Sequence, residues 1–200
     1  MSALPFSQAC ENNREPILQI LQNAFHNCTN ILEIGSGTGQ HAVFFAEKMP
    51  WLIWNTSDQA EYLDGISAWC DYAQLDNLRK PFELDVTQKP WPEINNIDGI
   101  FSANTCHIMS WPMVEDFIDG VGKTLNSGGM FCVYGPFNYH GNYTSDSNAR
   151  FDQWLKQRDP LSGIRDQEAV VALAEKAGLT LLDDHAMPAN NRMLVFTLRS

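Results

Sequence analysis

The chain has 200 residues, of which 44% are hydrophobic, and its 24 acidic and 13 basic residues give a formal net charge of -11. A chain of this length buries about 70% of the surface that its unfolded form exposes, and we expect one domain over residues 1–200. The negative charge disfavours nucleic acid as a partner, and the lack of an apolar run of roughly 18 residues disfavours a membrane partner.

Hydrophobic residues alternate between helical and strand periodicity along the chain. The first helix follows Asn13, which is a candidate N-cap, and the fifth strand ends before Pro136. In chain order, the predicted elements are a helix at 14–26, a strand at 30–34, a helix at 40–48, a strand at 51–56 that ends at Asp58, a helix at 60–76, strands at 82–86 and 97–103, a helix at 113–126, a strand at 130–135, helices at 148–157 and 166–177, and strands at 179–186 and 192–198. The alternation up to residue 135 predicts a parallel, doubly wound α/β sheet.

The C-terminal third departs from this alternation. Residues 136–147 are rich in Gly, Asn, Ser, Tyr and Phe without periodicity, which predicts a loop large enough to shape a pocket. The last two strands are separated only by residues 188–191, so we expect them to pair antiparallel.

Cysteine usage and the N-terminus bear on the cellular compartment. The five cysteines are odd in number and include no C-x-x-C pair, which favours reduced thiols over disulfides and predicts no metal site. The first residues lack a basic region followed by an apolar one, so we expect no secretory signal and a cytoplasmic location.

A short apolar strand runs into three closely spaced glycines, Gly35, Gly37 and Gly39, and then into a helix. Glycine adopts positive φ readily and lets ligand atoms approach the backbone, and the helix that follows presents free N–H groups. The pattern therefore predicts a nucleotide-binding turn. A dinucleotide motif G-x-G-x-x-G would place its third glycine at position 40, where this chain has Gln40, and this disfavours NAD.

Polar residues follow the predicted parallel strands. In open α/β sheets, ligands bind beyond the carboxyl ends of the strands, where the strand order reverses. Besides the glycine turn, the strand ends contribute Asp58, Asp85, Asn104, His107 and Tyr134. We expect these side chains to share one site.

Three acidic residues near this edge have more than one interpretation. Asp58 lies 19 residues after Gly39, a spacing that suits hydrogen bonds to ribose hydroxyls, although Asp58 is alternatively a helix cap. Asp85 either binds an adenine amino group, with Val86 packed on the ring, or only terminates its strand. Glu33 lies in an apolar strand, where its carboxylate needs donors such as the glycine-turn amides or a ligand ammonium group.

This combination resembles the class I S-adenosylmethionine-dependent methyltransferases, whose first motif is an acidic residue followed by G-x-G-x-G. The resemblance rests on Glu33, Gly35, Gly37, Gly39, Asp58, Asp85 and the antiparallel terminal hairpin. It implies a Rossmann-like α/β fold with a mostly parallel seven-stranded sheet, an antiparallel C-terminal strand and helices on both faces. Segments at 12–18, 135–137, 147–152, 163–166 and 187–191 are more narrowly similar to the DUF938 (UPF0585, methyltransferase-like 26) family.

The resemblance implies S-adenosylmethionine as the cofactor and an unidentified small molecule as the methyl acceptor. The implied cofactor-binding residues are Asn13, Arg14, Glu33, Gly35, Gly37, Gly39, Asp58, Asp85, Val86 and Asn104. Arg14 would lie near the methionine carboxylate, or alternatively it is a surface charge. The competing interpretations of the whole chain are a non-catalytic S-adenosylmethionine sensor or partner protein, and an oxidoreductase, which Gln40 disfavours.

In-line methyl transfer requires alignment of the reactants more than acid–base chemistry. His107 is the first candidate for a general base because of its titration range, and Tyr134 is the second, although a lone histidine after a strand is more often structural. Candidate substrate-binding residues are Tyr139, Asn190 and Asn191, although two asparagines in a tight connection are also turn formers. The aromatic residues expected either to line an acceptor pocket or to pack in the core are Trp111, Phe137, Tyr139, Phe151 and Trp154.

Overall fold

The computed structural model describes residues 4–199. The helices are α1 (Gln8–Ala24), α2 (Gln40–Lys48), α3 (Leu63–Ala73), α4 (Trp111–Thr124), α5 (Asp146–Arg158) and α6 (Gln167–Lys176). The strands are β1 (Asn30–Ile34), β2 (Ile53–Asp58), β3 (Phe82–Glu83), β4 (Gly99–Ala103), β5 (Met130–Gly135), β6 (Phe137–Asn138), β7 (Arg165–Asp166), β8 (Leu179–Met187) and β9 (Asn191–Leu198). Within residues 4–199, no helix is both long enough and apolar enough to cross a bilayer.

A seven-stranded sheet has the strand order β3-β2-β1-β4-β5-β9-β8. The pairs from β3 to β5 are parallel, whereas β9 is antiparallel to both β5 and β8. The mostly parallel sheet and the antiparallel terminal pair are thereby confirmed. The order reverses between β1 and β4, which places a ligand-binding crevice at the carboxyl ends of these two strands.

Successive side chains of a strand point to opposite faces of the sheet. Leu32 and Ile100 pack in one buried cluster with residues of α4 and α6. Their neighbours Ile31 and Phe101 pack in a second cluster with residues of α1, α2 and α3. Helices therefore cover both faces, which explains why the central strands are apolar without alternation.

The first helix begins six residues earlier than predicted. Its N-cap is Ser7, whose hydroxyl accepts a hydrogen bond from the Cys10 amide, and not Asn13. Asn13 lies inside α1 and is buried, with its side chain against His41 of α2. A contact with a distant helix thus replaces the local capping role that the sequence suggests.

The third strand is shorter than the predicted 82–86 and ends at Glu83. The Leu84 amide still donates to the Asp58 carbonyl, but Asp85 Oδ1 then accepts hydrogen bonds from the Thr87 amide and hydroxyl. These bonds turn the chain away from the sheet. Asp85 therefore ends the extended segment in the structure.

A two-residue pairing joins the predicted loop at 136–147 to a distant segment. Phe137 and Asn138 in β6 pair parallel with Arg165 and Asp166 in β7. So short a strand has no periodicity of its own, and the sequence pattern does not predict it. Just before β7, the Gly163 amide donates to the His107 carbonyl, so this segment contacts the loop that follows β4.

Candidate active site

Two adjoining cavities open at the carboxyl ends of β1 and β4. The smaller cavity, of about 360 Å³, extends towards the end of β2 and includes Asp58, and the larger cavity, of about 760 Å³, extends towards α1, α5 and the β8–β9 connection. Both are lined by Gly35, Gly37, Ala103, Asn104 and Ile108. The strand-order reversal thus brings the glycine turn and the end of β4 together in one site.

The three glycines of the turn differ in what surrounds them. A Cβ on Gly35 would lie 2.7 Å from Thr105 Cγ2, whereas a Cβ on Gly37 would meet nothing within 4 Å. Gly39, in the left-handed region at φ 89°, is the N-cap of α2, and a Cβ there would lie 3.1 Å from the Ile66 Cα. Gly35 therefore allows a close approach to the β4 loop, Gly37 leaves space for a ligand, and Gly39 allows α2 and α3 to pack.

The smaller cavity combines one carboxylate with apolar walls. Asp58 Oδ2 accepts a hydrogen bond of 2.7 Å from the Gly37 amide, and Oδ1 accepts one of 2.8 Å from the Gln59 amide. Burial raises the pKa of Asp58, and these two amides oppose that effect. The other lining side chains include Tyr62, Leu84, Val86, Met109 and Met113. The cavity suits a flat apolar ring joined to a group that donates hydrogen bonds.

Asn104 lies between the two cavities in a left-handed backbone conformation, with φ 60°. Its amide donates to the Tyr134 carbonyl at 2.8 Å, so β5 holds the residue in place. Asparagine adopts this conformation more readily than other residues that carry a Cβ. Its strained backbone lies where a ligand spanning both cavities would pass.

His107 lines the larger cavity and is 6% exposed. Its ring packs edge-on against Phe151, and its Nδ1 is 3.6 Å from the position that a Cβ on Gly135 would occupy. Burial, and secondarily the Arg165 guanidinium, lower the pKa of His107 to about 4. The imidazole is therefore neutral near pH 7 and accepts a proton only weakly.

Neutral polar side chains line the larger cavity. His41 Nε2 is 2.8 Å from Asn13 Oδ1, and Tyr134 and Asn191 line the same cavity. Burial lowers the pKa of His41 to about 4 and raises that of Tyr134. Sequence reasoning assigned no chemistry to His41, although its position two residues after Gly39 is a signal that it lies close to the glycine turn.

Two of the five predicted wall aromatics line the larger cavity. Phe151 and Trp154 stack along α5 with ring centroids 5.8 Å apart, whereas Trp111, Phe137 and Tyr139 lie elsewhere. Phe137 is 1% exposed in the core, and the Tyr139 hydroxyl donates to Asp184 Oδ2 at 2.6 Å. The structure therefore does not bring Tyr139 to the site as a substrate-binding residue.

Two predicted ligand-binding charges have protein partners instead. The Arg14 guanidinium pairs with Glu11 at 2.8 Å and lies 4.7 Å from the centre of the Phe44 ring, so it faces α2 and not either cavity. Glu33 Oε2 accepts hydrogen bonds from the Ser36 hydroxyl and the Trp54 indole, and the glycine-turn amides do not reach it. Burial raises the pKa of Glu33 to about 7.

The predicted residues thus divide into two groups. Those that line a cavity are Asn13, Gly35, Gly37, Asp58, Val86, Asn104, His107, Tyr134 and Asn191. Those that do not line either cavity are Arg14, Glu33, Gly39, Asp85, Tyr139 and Asn190. Asn190 instead bonds to α5, because its carbonyl accepts from Asn148 and its amide donates to Ser147.

Both the sequence and the fold of this chain are similar to those of known proteins. A family model described as "Protein of unknown function (DUF938)" matches residues 4–198. An O-methyltransferase family protein from Burkholderia thailandensis superposes with TM-score 0.79 at 12% identity, over 93% of this chain and 56% of that protein. An O-methyltransferase family 2 protein from Planctomyces limnophilus, in complex with apigenin, superposes with a TM-score of 0.80 at 15% identity, over 94% of this chain and 57% of that protein.

Human N-acetylserotonin methyltransferase in complex with SAM gives a TM-score of 0.71 at 15% identity, over 94% of this chain and 56% of that protein. The chain thus spans little more than half the length of each of these three proteins. At such identities the likeness concerns the fold, which is the Rossmann-like fold of the methyltransferases.

Proposed function

The chain belongs to the DUF938 family, and we propose that it is an S-adenosylmethionine-dependent methyltransferase acting on a small-molecule acceptor. The observation that carries the proposal is the pair of cavities that meet at Gly35, Gly37 and Asn104. A cofactor site and an acceptor site must adjoin where the methyl group crosses. Two adjoining cavities at the strand-order reversal supply that arrangement.

The smaller cavity fits the adenosine part of this cofactor. Asp58 accepts hydrogen bonds from ribose hydroxyls, and Val86 and Leu84 pack against the purine. Gly37 leaves room for the rest of the cofactor to pass over the turn towards Asn104. Bound S-adenosylmethionine supplies a methyl group on a positively charged sulfur, and a chain of net charge -11 favours such a cation.

Gln40 supports this cofactor over a dinucleotide. Its side chain accepts from the Ser7 amide and donates to Glu11 Oε1, at 2.5 and 2.9 Å. These hydrogen bonds hold the start of α1 against the start of α2. A dinucleotide pyrophosphate needs the open N-terminus of that helix.

The chain's own residues would act on the acceptor through alignment and proton removal. Bound S-adenosylmethionine would supply the methyl carbon to the acceptor atom and would keep the electron pair of the broken carbon–sulfur bond on its sulfur. Neutral His107 takes the acceptor's proton and passes it to solvent. The Tyr134 hydroxyl, which is protonated near pH 7, donates a hydrogen bond to the acceptor, and Asn104 holds the reactants in line.

One observation favours a second candidate function, a sensor that binds S-adenosylmethionine without transferring its methyl group. The pKa of His107 is lowered to about 4, which makes it a weak base. A protein that only recognises the cofactor needs no base.

Incubation with methyl-labelled S-adenosylmethionine and a fractionated metabolite extract separates the two functions. We expect label to move into a small-molecule fraction with the unaltered protein and not with Gly37→Val, whose side chain would fill the space above the turn. Cofactor binding with no labelled product in any fraction would favour the sensor. Absence of cofactor binding would contradict both.

A further inference from the structure

The larger cavity is lined by uncharged side chains. Among the residues that the structure describes, its lining includes no Asp, Glu, Lys or Arg, although 18% of the chain is charged. The titratable side chains that it does contain include His41, His107 and Tyr134. The two histidines are neutral near pH 7, since burial lowers the pKa of each to about 4.

Several charged side chains on the surrounding elements contact other protein groups. On α5, Lys156 pairs with Asp152 at 2.6 Å, and the Arg158 guanidinium lies 4.6 Å from the centre of the Trp154 ring. On β8 and β9, Asp184 pairs with Arg192 at 2.7 Å. A charged group placed against the α5 side of the cavity would therefore lose water without finding a charged partner in the lining, which is unfavourable.

The remaining lining combines an apolar wall with neutral hydrogen-bonding groups. Phe151, Trp154 and Leu155 of α5, with Ile108 opposite, provide the apolar surface. The side chains of Asn13 and Asn191 and the Tyr134 hydroxyl provide donors and acceptors, whereas the side-chain amide nitrogen of Asn148 donates to Thr144 and Asn190. Aromatic side chains make favourable edge and stacking contacts with ligand rings, and neutral polar groups fix a ligand's orientation.

We propose that the acceptor is an uncharged aromatic small molecule, held between the α5 wall and the neutral asparagine and tyrosine groups. This inference rests on the proposed function, because it takes the larger cavity as the acceptor site. It predicts weak binding of acceptors that place a carboxylate, phosphate or ammonium group against the α5 wall.

Two matched pairs of probes test the inference by binding. The first pair is 6-hydroxy-2-naphthamide and 6-hydroxy-2-naphthoate, which have nearly the same shape and differ in charge. The second pair is 6-(hydroxymethyl)-2-naphthol and 6-(aminomethyl)-2-naphthol. Calorimetry on the full chain, with and without S-adenosylhomocysteine, should give at least tenfold tighter binding of the neutral member in each pair. The net charge of -11 favours the ammonium probe, so discrimination against it isolates the effect of the cavity.

Substitutions locate the binding surface. Trp154→Ala should weaken naphthamide binding at least fivefold, whereas Trp51→Ala should leave it within twofold. Trp154 and Trp51 are equally exposed, at 47% and 48%, but only Trp154 lines the cavity. Ala9→Lys, at an exposed lining position, should reduce the discrimination against the naphthoate because it supplies the missing partner.

Equal or tighter binding of either charged probe would overturn the inference, as would unchanged naphthamide binding in Trp154→Ala. So would failure of both neutral probes to bind. Titration with S-adenosylhomocysteine alone distinguishes a failure of this inference from a failure of the proposed function. If it binds and the probes do not discriminate, only the acceptor class is wrong; if it does not bind, the proposed function is wrong as well.

Discussion

Gly35 shows that packing within the protein can require a glycine at a position that also lines the candidate site. A Cβ there would lie 2.7 Å from Thr105 Cγ2, a distance that real Cβ atoms essentially never show. Thr105 is itself held in place, since its hydroxyl oxygen is 2.8 Å from that of Ser102. The clash therefore cannot be relieved by a simple side-chain movement.

We predict that Gly35→Ala lowers the free energy of unfolding by about 2 kcal/mol, from overpacking and from the positive φ. Adding Thr105→Ser should recover part of this loss, because serine lacks the clashing methyl group and keeps the hydroxyl. Urea unfolding of the single and double variants measures both effects. No recovery in the double variant would contradict the assigned contact.

Glu33 makes stability depend on pH. Burial raises its pKa from 4.5 to about 7, so the folded chain keeps a proton between these values that the unfolded chain loses. Its contribution to stability is therefore present below about pH 4.5 and is lost as the pH rises through about 7.

Glu33→Gln should remove this dependence, because the amide oxygen still accepts from Ser36 and Trp54. Relative to the unaltered chain, we expect the variant to gain up to about 3 kcal/mol of stability between pH 5 and pH 8. Chemical unfolding at the two pH values measures the difference. An identical stability difference at both pH values would show that the pKa of Glu33 is not raised.

Residue positions were more predictable from the sequence than residue partners. Spacing brings Gly35, Gly37, Asp58 and Asn104 to the correct edge of the sheet because strand ends converge there. Arg14 lies close to the site in sequence, but its side chain pairs with Glu11 on the same helix. The two residues are three apart, a spacing at which helical side chains pair, but the predicted helix start at residue 14 leaves Glu11 outside the helix.

At the scale of elements, the loop after β4 is held by a single arginine. Arg165, beside α6, donates to the carbonyls of Cys106, Met109 and Leu161. The Gly163 amide adds a bond of 2.8 Å to the His107 carbonyl. The segment before α6 thus positions the loop that carries Asn104 and His107.

Arg165→Met should destabilise the chain by about 3 kcal/mol, because several carbonyls lose their donor. The pKa of His107 should rise, since the guanidinium holds it down. Thermal unfolding and an NMR titration of the imidazole measure the two effects, with Arg199→Met as a surface control. An unchanged His107 pKa would contradict this role.

Element types were predictable from periodicity, and boundaries were less so. The helix at 40–48 and the strands at 30–34 and 130–135 have the predicted limits, because burial and local signals agree there. The start of α1, the length of β3 and the β6–β7 pair depend on contacts with distant segments. A pattern confined to one segment does not contain that information.

At the scale of the whole molecule, charge is distributed unevenly around the site. The chain carries -11 overall, the smaller cavity presents Asp58, and the larger cavity is uncharged among the described residues. This arrangement suits the adenosine part of the proposed cofactor in the smaller cavity and a neutral acceptor against the α5 side of the larger one. It also explains why a composition that repels polyanions is compatible with a nucleoside-containing cofactor.

The measurement that tests the central claim most directly is calorimetric titration of S-adenosylhomocysteine into the unaltered chain, Asp58→Asn and Asp85→Asn. Both carboxylates follow parallel strands, but only Asp58 lines the smaller cavity, whereas Asp85 bonds to Thr87. We predict one site per chain, binding at least tenfold weaker in Asp58→Asn and within twofold in Asp85→Asn, and no binding of NAD. Binding of NAD without S-adenosylhomocysteine, or equal effects of the two substitutions, would contradict the account.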